Sequence, residues 1–310
     1  MMALPSRTRA MTQARFIPPL PAEPGTIPTS PIPAVNVASV PQRSPLRYPG
    51  GKTWLIPHIR AWLGSQDEMY RLLIEPFCGG GIVSLTAVME GFAERALMAE
   101  IDHDVAAFWH AALRHGDELR ERLLAFNPTR ENVQRLARRQ PDNVIDHGFR
   151  TLVLNRTRRG GILAPGASLA RNGENGKGIR SRWYPETIAK RLEDISACVD
   201  RLVFCETDGM QLLAAAASVP GSVIFADPPY TAGGKRAGAR LYASHDFNHP
   251  ELFALLDDSG AEFLMTYDRA PEIVALVEKH GFAAVVVSMK NTHHDRVEEL
   301  VITRSPIFSE

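Results

Sequence analysis

From about Ser44 onward, short apolar runs alternate with stretches of helical period. LRYPGGKTWLIPHIRAWL reads as a turn and then an amphipathic helix. LLIEPF, from Leu72 to Phe77, is a short apolar run that ends in CGGG, as a buried strand entering a glycine loop does. SLTAVMEGF continues as a helix, RALMAE (Arg95 to Glu100) as a second buried strand and DVAAFWHAAL as a second helix. Continuous apolar strands that alternate with helices predict an α/β architecture with a parallel, doubly wound sheet.

The alternation breaks near Asn127 and resumes after Arg191. RLVFCE (Arg201 to Glu206), SVIFAD (Ser222 to Asp227) and EFLMTYD (Glu262 to Asp268) read as further strands, with the helix PEIVALVEKHGF after the last. AAVVVSMK and EELVITR read as an antiparallel pair at the sheet edge. The expected organisation is a Pro-rich disordered or extended arm over 1–43, a catalytic domain over 44–126 and 192–310, and an insertion over 127–191.

Composition narrows this only locally. The chain has 310 residues, is 45% apolar and has zero formal net charge, so binding to a polyanion needs a local basic patch. The segment from Arg150 to Arg191 supplies one: ten Lys or Arg against the acids Glu174 and Glu186, with six glycines and the pair Trp183 and Tyr184. A basic, flexible and aromatic segment suits a phosphate-tracking surface; for an isolated charge run a solvated helix face is the simpler reading. Cys78, Cys198 and Cys205 form no CxxC pair, so neither a disulfide framework nor a zinc site is expected, and a reducing cytoplasm is. No apolar run reaches the length of about 20 residues that a membrane helix needs, and the first residues lack the apolar core of a secretory signal.

Three places carry chemistry. Asp227-Pro228-Pro229-Tyr230 follows a buried strand, whose carboxyl end faces the ligand crevice in an open α/β sheet. The two prolines remove two N–H donors, so the Asp227 carboxylate and a proline carbonyl can accept both hydrogens of one amino group, and Tyr230 offers a stacking face. Glu75-Pro76-Phe77-Cys78-Gly79-Gly80-Gly81 joins strand to helix through glycines that let a ligand approach closely, although its spacing is not GxGxxG. Gly51-Lys52-Thr53 lacks the strand and glycine spacing of a phosphate loop. Glu100, at the end of the second strand, can accept from both hydroxyls of a ribose, with Asp102 as a second candidate.

Together, and in this order, these motifs resemble the Dam-like, DPPY-type family of DNA adenine-specific methyltransferases over roughly Ser44 to Ser305. The resemblance implies a Rossmann-like methyltransferase sheet with an antiparallel edge and a helical and loop DNA-recognition insertion. It implies transfer of a methyl group from S-adenosylmethionine to the N6 amine of a flipped adenine in double-stranded DNA, without a metal. It assigns catalysis to Asp227, Pro228, Pro229 and Tyr230. Cofactor binding falls to Tyr48, Lys52, Glu75, Phe77, Gly79, Gly81, Glu100, Asp102, Asp208 and Asp227. The DNA surface comprises Asn155, Arg156, Arg158, Arg159, Arg180 and Arg182. Thr266-Tyr267-Asp268 stands where the family often has Ser or Asn beside the base pocket. Cys78 reads as packing, and His245, His249, His293 and His294 are given no catalytic role. A monomer is the default, and a restriction enzyme is a conceivable companion. The alternatives are an RNA adenine methyltransferase, methylation of the cytosine amine (usually associated with Ser in place of Asp227), an inactive DNA-binding module, and a dehydrogenase, which the absence of GxGxxG disfavours.

Overall fold

A computed structural model describes residues 27–28, 39–47, 51–65, 68–164, 166–171, 176–229, 247–290 and 296–306. Tyr48, Tyr230, His245, His293 and His294 lie outside the described residues. A 3₁₀ turn (Lys52–Leu55) leads into α1 (Ile56–Leu63), followed by β1 (Tyr70–Glu75), α2 (Ile82–Met89), β2 (Ala93–Glu100), α3 (His103–Arg114) and α4 (Gly116–Ala125). Then come α5 (Arg130–Arg138), α6 (Val144–Thr157) and α7 (Pro185–Ser196), with a second 3₁₀ turn at Gly178–Arg182. The chain continues through β3 (Leu202–Glu206), α8 (Gly209–Ala216), β4 (Ser222–Ala226), α9 (His249–Ser259), β5 (Glu262–Asp268), α10 (Pro271–His280), β6 (Ala283–Lys290) and β7 (Arg296–Thr303).

The strands form one sheet in the order β3-β2-β1-β4-β5-β7-β6. The first five are parallel, and β7 runs antiparallel to both β5 and β6. The terminal pair therefore folds back on itself: β7 lies inside and β6 forms the edge. Period-2 alternation sends neighbouring strand residues to opposite faces. Leu73, Val223, Phe225 and Leu264 join one core with α1, α2, α3 and α4, while Ile74, Ile224, Phe263 and Met265 join a second core with α8, α9 and α10. Burial on both faces explains why β4 (SVIFA) is buried throughout. Asp102, Thr129, Asn143, Asp208 and Asn248 cap α3, α5, α6, α8 and α9, each accepting first-turn amides. Among the described residues no helix is long and apolar enough to cross a membrane.

The boundary expected at residue 127 falls between α4 and α5, but the packing is continuous across it. Val133, Phe149, Leu152, Ile188 and Leu192 belong to the same core as Phe108, Leu119 and the sheet residues. Gly148 lets α6 close on α3: a Cβ there would stand 2.5 Å from the Ala111 Cβ and 2.8 Å from the Ala107 carbonyl. Of the expected disordered or extended arm over 1–43, the described residues 27–28 and 39–43 pack against the rest of the chain. Val40 is 4% exposed within the first core, Arg43 pairs with Glu90 at 2.7 Å, and Ile27 packs on the second core. An apolar side chain and a counter-charge hold segments whose Pro-rich composition suggests no structure.

Because the helices after residue 127 share the core of the sheet, Gly148→Leu should destabilise the whole unit by about 1–3 kcal/mol, the usual range for overpacking. Denaturant unfolding should show one cooperative transition at lower midpoint; a separate early transition with the remainder unchanged would contradict the shared core.

Candidate active site

Strands β1 and β4 are neighbours, with Leu72 opposite Ser222 and Ile74 opposite Ile224. From β1 the chain winds outward to β2, and from β4 outward to β5, so the loops leaving these strands separate. Such a switch point opens a crevice at the strand carboxyl ends. A cavity of about 800 Å³ lies there, lined by the loop after β1, Glu100 to Asp102, Asp208 to Met210, and Asp227 with Pro229.

The floor after β1 is built by close packing. Gly81 has φ 62°, and a Cβ on it would meet the Trp109 ring at 2.5 Å. Trp109 Nε1 donates to the Gly79 carbonyl at 2.8 Å, and the Cys78 amide to the Ala99 carbonyl at 2.9 Å. Burial pushes the Cys78 thiol well up, which removes it as a nucleophile and agrees with a packing role. A Cβ on Gly209 would strike the Pro76 carbonyl at 2.3 Å and the Phe77 ring at 2.4 Å, so this glycine, which no sequence motif marks, sets the approach of α8. Phe77 meets Phe247 edge-on at 5.5 Å.

Carboxyl groups dominate this end of the cavity. Glu75 is 2% exposed and accepts the Ser84 amide at 2.9 Å, in the first turn of α2. Burial raises its pKa to about 8, overriding the Ser84 hydrogen bonds. Glu100 accepts three amides, from Gly79 at 3.0 Å, Ile101 at 2.9 Å and Asp102 at 3.0 Å. Burial nevertheless lifts it to about 7. Asp102 and Asp208 are helix caps as well as lining residues. Between Glu100 and Asp102, Ile101 is 53% exposed, an apolar surface facing the cavity.

Asp227 follows the last residue of β4, the strand next to β1. Lys52 Nζ lies 2.9 Å from its Oδ1, and Thr266 Oγ1 donates to the same oxygen at 2.7 Å. Lys52 is 2% exposed and also lies 3.6 Å from Glu299 Oε2. Burial alone would lower the Lys52 pKa; the charges of Asp227 and Glu299 and their hydrogen bonds outweigh it and hold the ammonium above its usual value. Lys52 therefore meets the Asp227 carboxylate as well as lining the cavity, and Thr266 fixes the carboxylate plane from β5. The next residue, Tyr267, is fully buried with its hydroxyl 2.9 Å from His249 Nδ1. Glu299 is missed by sequence reasoning because its partner is distant in the chain and no local pattern marks it.

The basic segment divides. Arg159 and Arg180 are exposed, Arg158 is half-buried with a bond to the Leu163 carbonyl at 2.7 Å, and Arg182 lines the cavity. A phosphate-tracking surface role for Asn155 and Arg156 is corrected. Asn155 is fully buried and donates to the Arg47 and Gly161 carbonyls at 2.7 and 2.9 Å; Arg156 is buried and donates from Nε to the Pro45 carbonyl at 2.8 Å. Of the aromatic pair, Tyr184 faces the cavity, while Trp183 packs on Phe126 at 5.7 Å. Among the described residues no group of three or more His, Cys, Asp or Glu is placed to hold a metal ion.

Known proteins resemble this chain along most of its length. It is 28% identical to the DNA N-6-adenine-methyltransferase of Escherichia phage P1 over 253 residues, covering 78% of this chain and 32% of that protein. The chain thus spans about a third of the phage relative's length. It is also 28% identical over 270 residues to the DNA adenine methylase of Vibrio cholerae serotype O1, covering 82% of this chain and 84% of that one. The family model of the D12 class N6 adenine-specific DNA methyltransferases matches residues 48–292, and the chain belongs to that family.

Proposed function

We propose that this protein transfers the methyl group of S-adenosylmethionine to the exocyclic N6 amine of an adenine turned out of duplex DNA. The observation that carries the reading is Asp227, held by Lys52 and Thr266 in a cavity that Glu75, Glu100, Asp102 and Asp208 also line. The amine is paired inside the duplex, so the base must leave the stack to react. Asp227 accepts one amine hydrogen and the Pro228 carbonyl the other, which turns the nitrogen lone pair toward the methyl donor. Fixing both partners in line removes much of the entropic part of the barrier.

The cavity fits the methyl donor in its chemistry. Glu75 is buried beside the cavity with its pKa raised to about 8, and a cationic group such as an ammonium or sulfonium would ionise it. Glu100, with Asp102 beside it, suits a ribose diol; Ile101 and Phe77 suit the faces of a purine; Asp208 suits its amine. When bound, the cofactor supplies an electrophilic methyl group. Arg182 at the cavity wall and Arg158, Arg159 and Arg180 beyond it would meet the DNA, with residues 127–191 as the recognition segment.

The direct test is methyl transfer from labelled S-adenosylmethionine to unmethylated duplex DNA, followed by nucleoside analysis. Label in 6-methyladenine is expected; label entering only transcripts would move the substrate to RNA. Replacing Asp227 with Ala should lower transfer by about a hundredfold or more while cofactor binding persists. Turnover near wild type in that variant would remove Asp227 from the mechanism.

Cofactor affinity should also follow the ionisation of Glu100, whose pKa stands at about 7. Hydroxyl donors favour the carboxylate over the acid, so affinity should rise as pH passes upward through about 7. Calorimetric titrations from acid to alkaline pH should show this rise, flattened in Glu100→Gln. An unchanged pH profile in that variant would assign the rise to another group.

A further inference from the structure

The cavity has a second wall of opposite charge. Arg47, Arg156, Arg182 and Arg191 all line it, with Tyr184 beside them. They come from four segments: the stretch before the first 3₁₀ turn, the last turn of α6, the 3₁₀ turn at Gly178–Arg182, and α7. Two of them hold the N-terminal stretch in place. Arg156 donates to the Pro45 carbonyl through both Nε and Nη2, and Arg191 Nη1 donates to the Ser44 carbonyl at 2.8 Å. The Arg47 backbone is clamped on both sides by Asn155: its N–H donates to Asn155 Oδ1 at 2.7 Å and its carbonyl accepts from Asn155 Nδ2 at 2.7 Å.

Among the described residues no carboxylate pairs with Arg47, Arg156 or Arg191. Burial first, and then the charges of Arg191, Arg47 and Arg182, bring Arg156 down to about 9, still charged at neutral pH. Like charges gathered in a partly desolvated wall repel, and neutral carbonyls offset little of that. A bound anion would offset it, and guanidinium forks match the oxygen pairs of phosphate.

We infer that Arg47 and Arg182, positioned by Arg156 and Arg191, form a clamp for the phosphodiester adjoining the flipped adenosine. The inference rests on the proposed function. A base entering the cavity toward Asp227 brings its own backbone phosphate with it. Meeting that phosphate on the basic wall rewards the extruded state over the stacked one. Arg156 and Arg191 act as positioning residues through Pro45 and Ser44, while Arg47 and Arg182, both partly exposed, reach the phosphate oxygens. The other anion that could sit here is the carboxylate of the cofactor.

The experiment is a thermodynamic cycle. The target site is first located by sequencing DNA methylated by the wild type. Duplexes are then made with the natural linkage or one uncharged methylphosphonate on either side of the target adenine. Binding is measured for wild type, R47Q, R182Q and the double variant, with cofactor affinity in parallel. The expected result is that one methylphosphonate weakens wild-type binding about tenfold or more and the double variant little or not at all, with cofactor affinity unchanged. The slope of log affinity against log salt should become shallower by about 0.9 for each phosphate that is no longer neutralised. Independent, multiplying losses from variant and methylphosphonate would overturn the clamp. So would a fall in cofactor affinity with DNA binding intact, which would assign the wall to the cofactor carboxylate. The methylphosphonate arm uses the unaltered protein, so an absence of any loss there overturns the clamp even if a variant folds poorly. A wild type that methylates no DNA overturns the proposed function itself, and this inference with it.

Discussion

A buried ammonium between two carboxylates governs how the site is assembled. Lys52 is 2.9 Å from Asp227 and 3.6 Å from Glu299, and it is almost fully enclosed. Taking Lys52 away would leave two carboxylates without their shared counter-charge, a loss of about 3–5 kcal/mol in comparable cases, whereas taking one carboxylate away leaves the ammonium with a single partner. The three residues come from the first 3₁₀ turn, the end of β4 and the strand β7, next to last in the sheet order. Segments from near both ends of the described chain therefore close on the end of β4, and the carboxylate's orientation depends on both.

The same cavity brings opposite fields together. Glu75, Glu100, Asp102 and Asp208 cluster at the strand ends nearest β1 and β2, while guanidinium groups gather where α6, α7 and the N-terminal stretch meet. One cavity thus presents carboxyl groups and guanidinium groups that come from different segments of the chain. A zero net charge is compatible with both, because the acids and bases are sorted by position rather than by number.

Much of this is legible in the sequence. Continuous apolar runs such as SVIFA and the glycine loop after Glu75 are local signals, and they mark β4, β1 and the crevice loops. The antiparallel ending is legible too, although not that β7 lies between β5 and β6, because register and strand order are set by partners elsewhere. Asn155 and Arg156 mislead because a basic, polar run looks exposed. Their burial follows from carbonyls at Arg47, Gly161 and Pro45 that only the fold delivers. Thr266 and Glu299 are hidden for the same reason: each matters through Asp227 or Lys52, far away along the chain.

One hydrogen bond at the far edge has a different kind of consequence. The Val286 amide on β6 donates to the Pro28 carbonyl at 2.8 Å. A proline can accept from an edge strand but has no N–H to offer in return, so Pro28 enters this contact as an acceptor alone. Among the described residues, an outward amide of the outermost strand is thus satisfied by the N-terminal stretch, on the side of β5 away from the crevice.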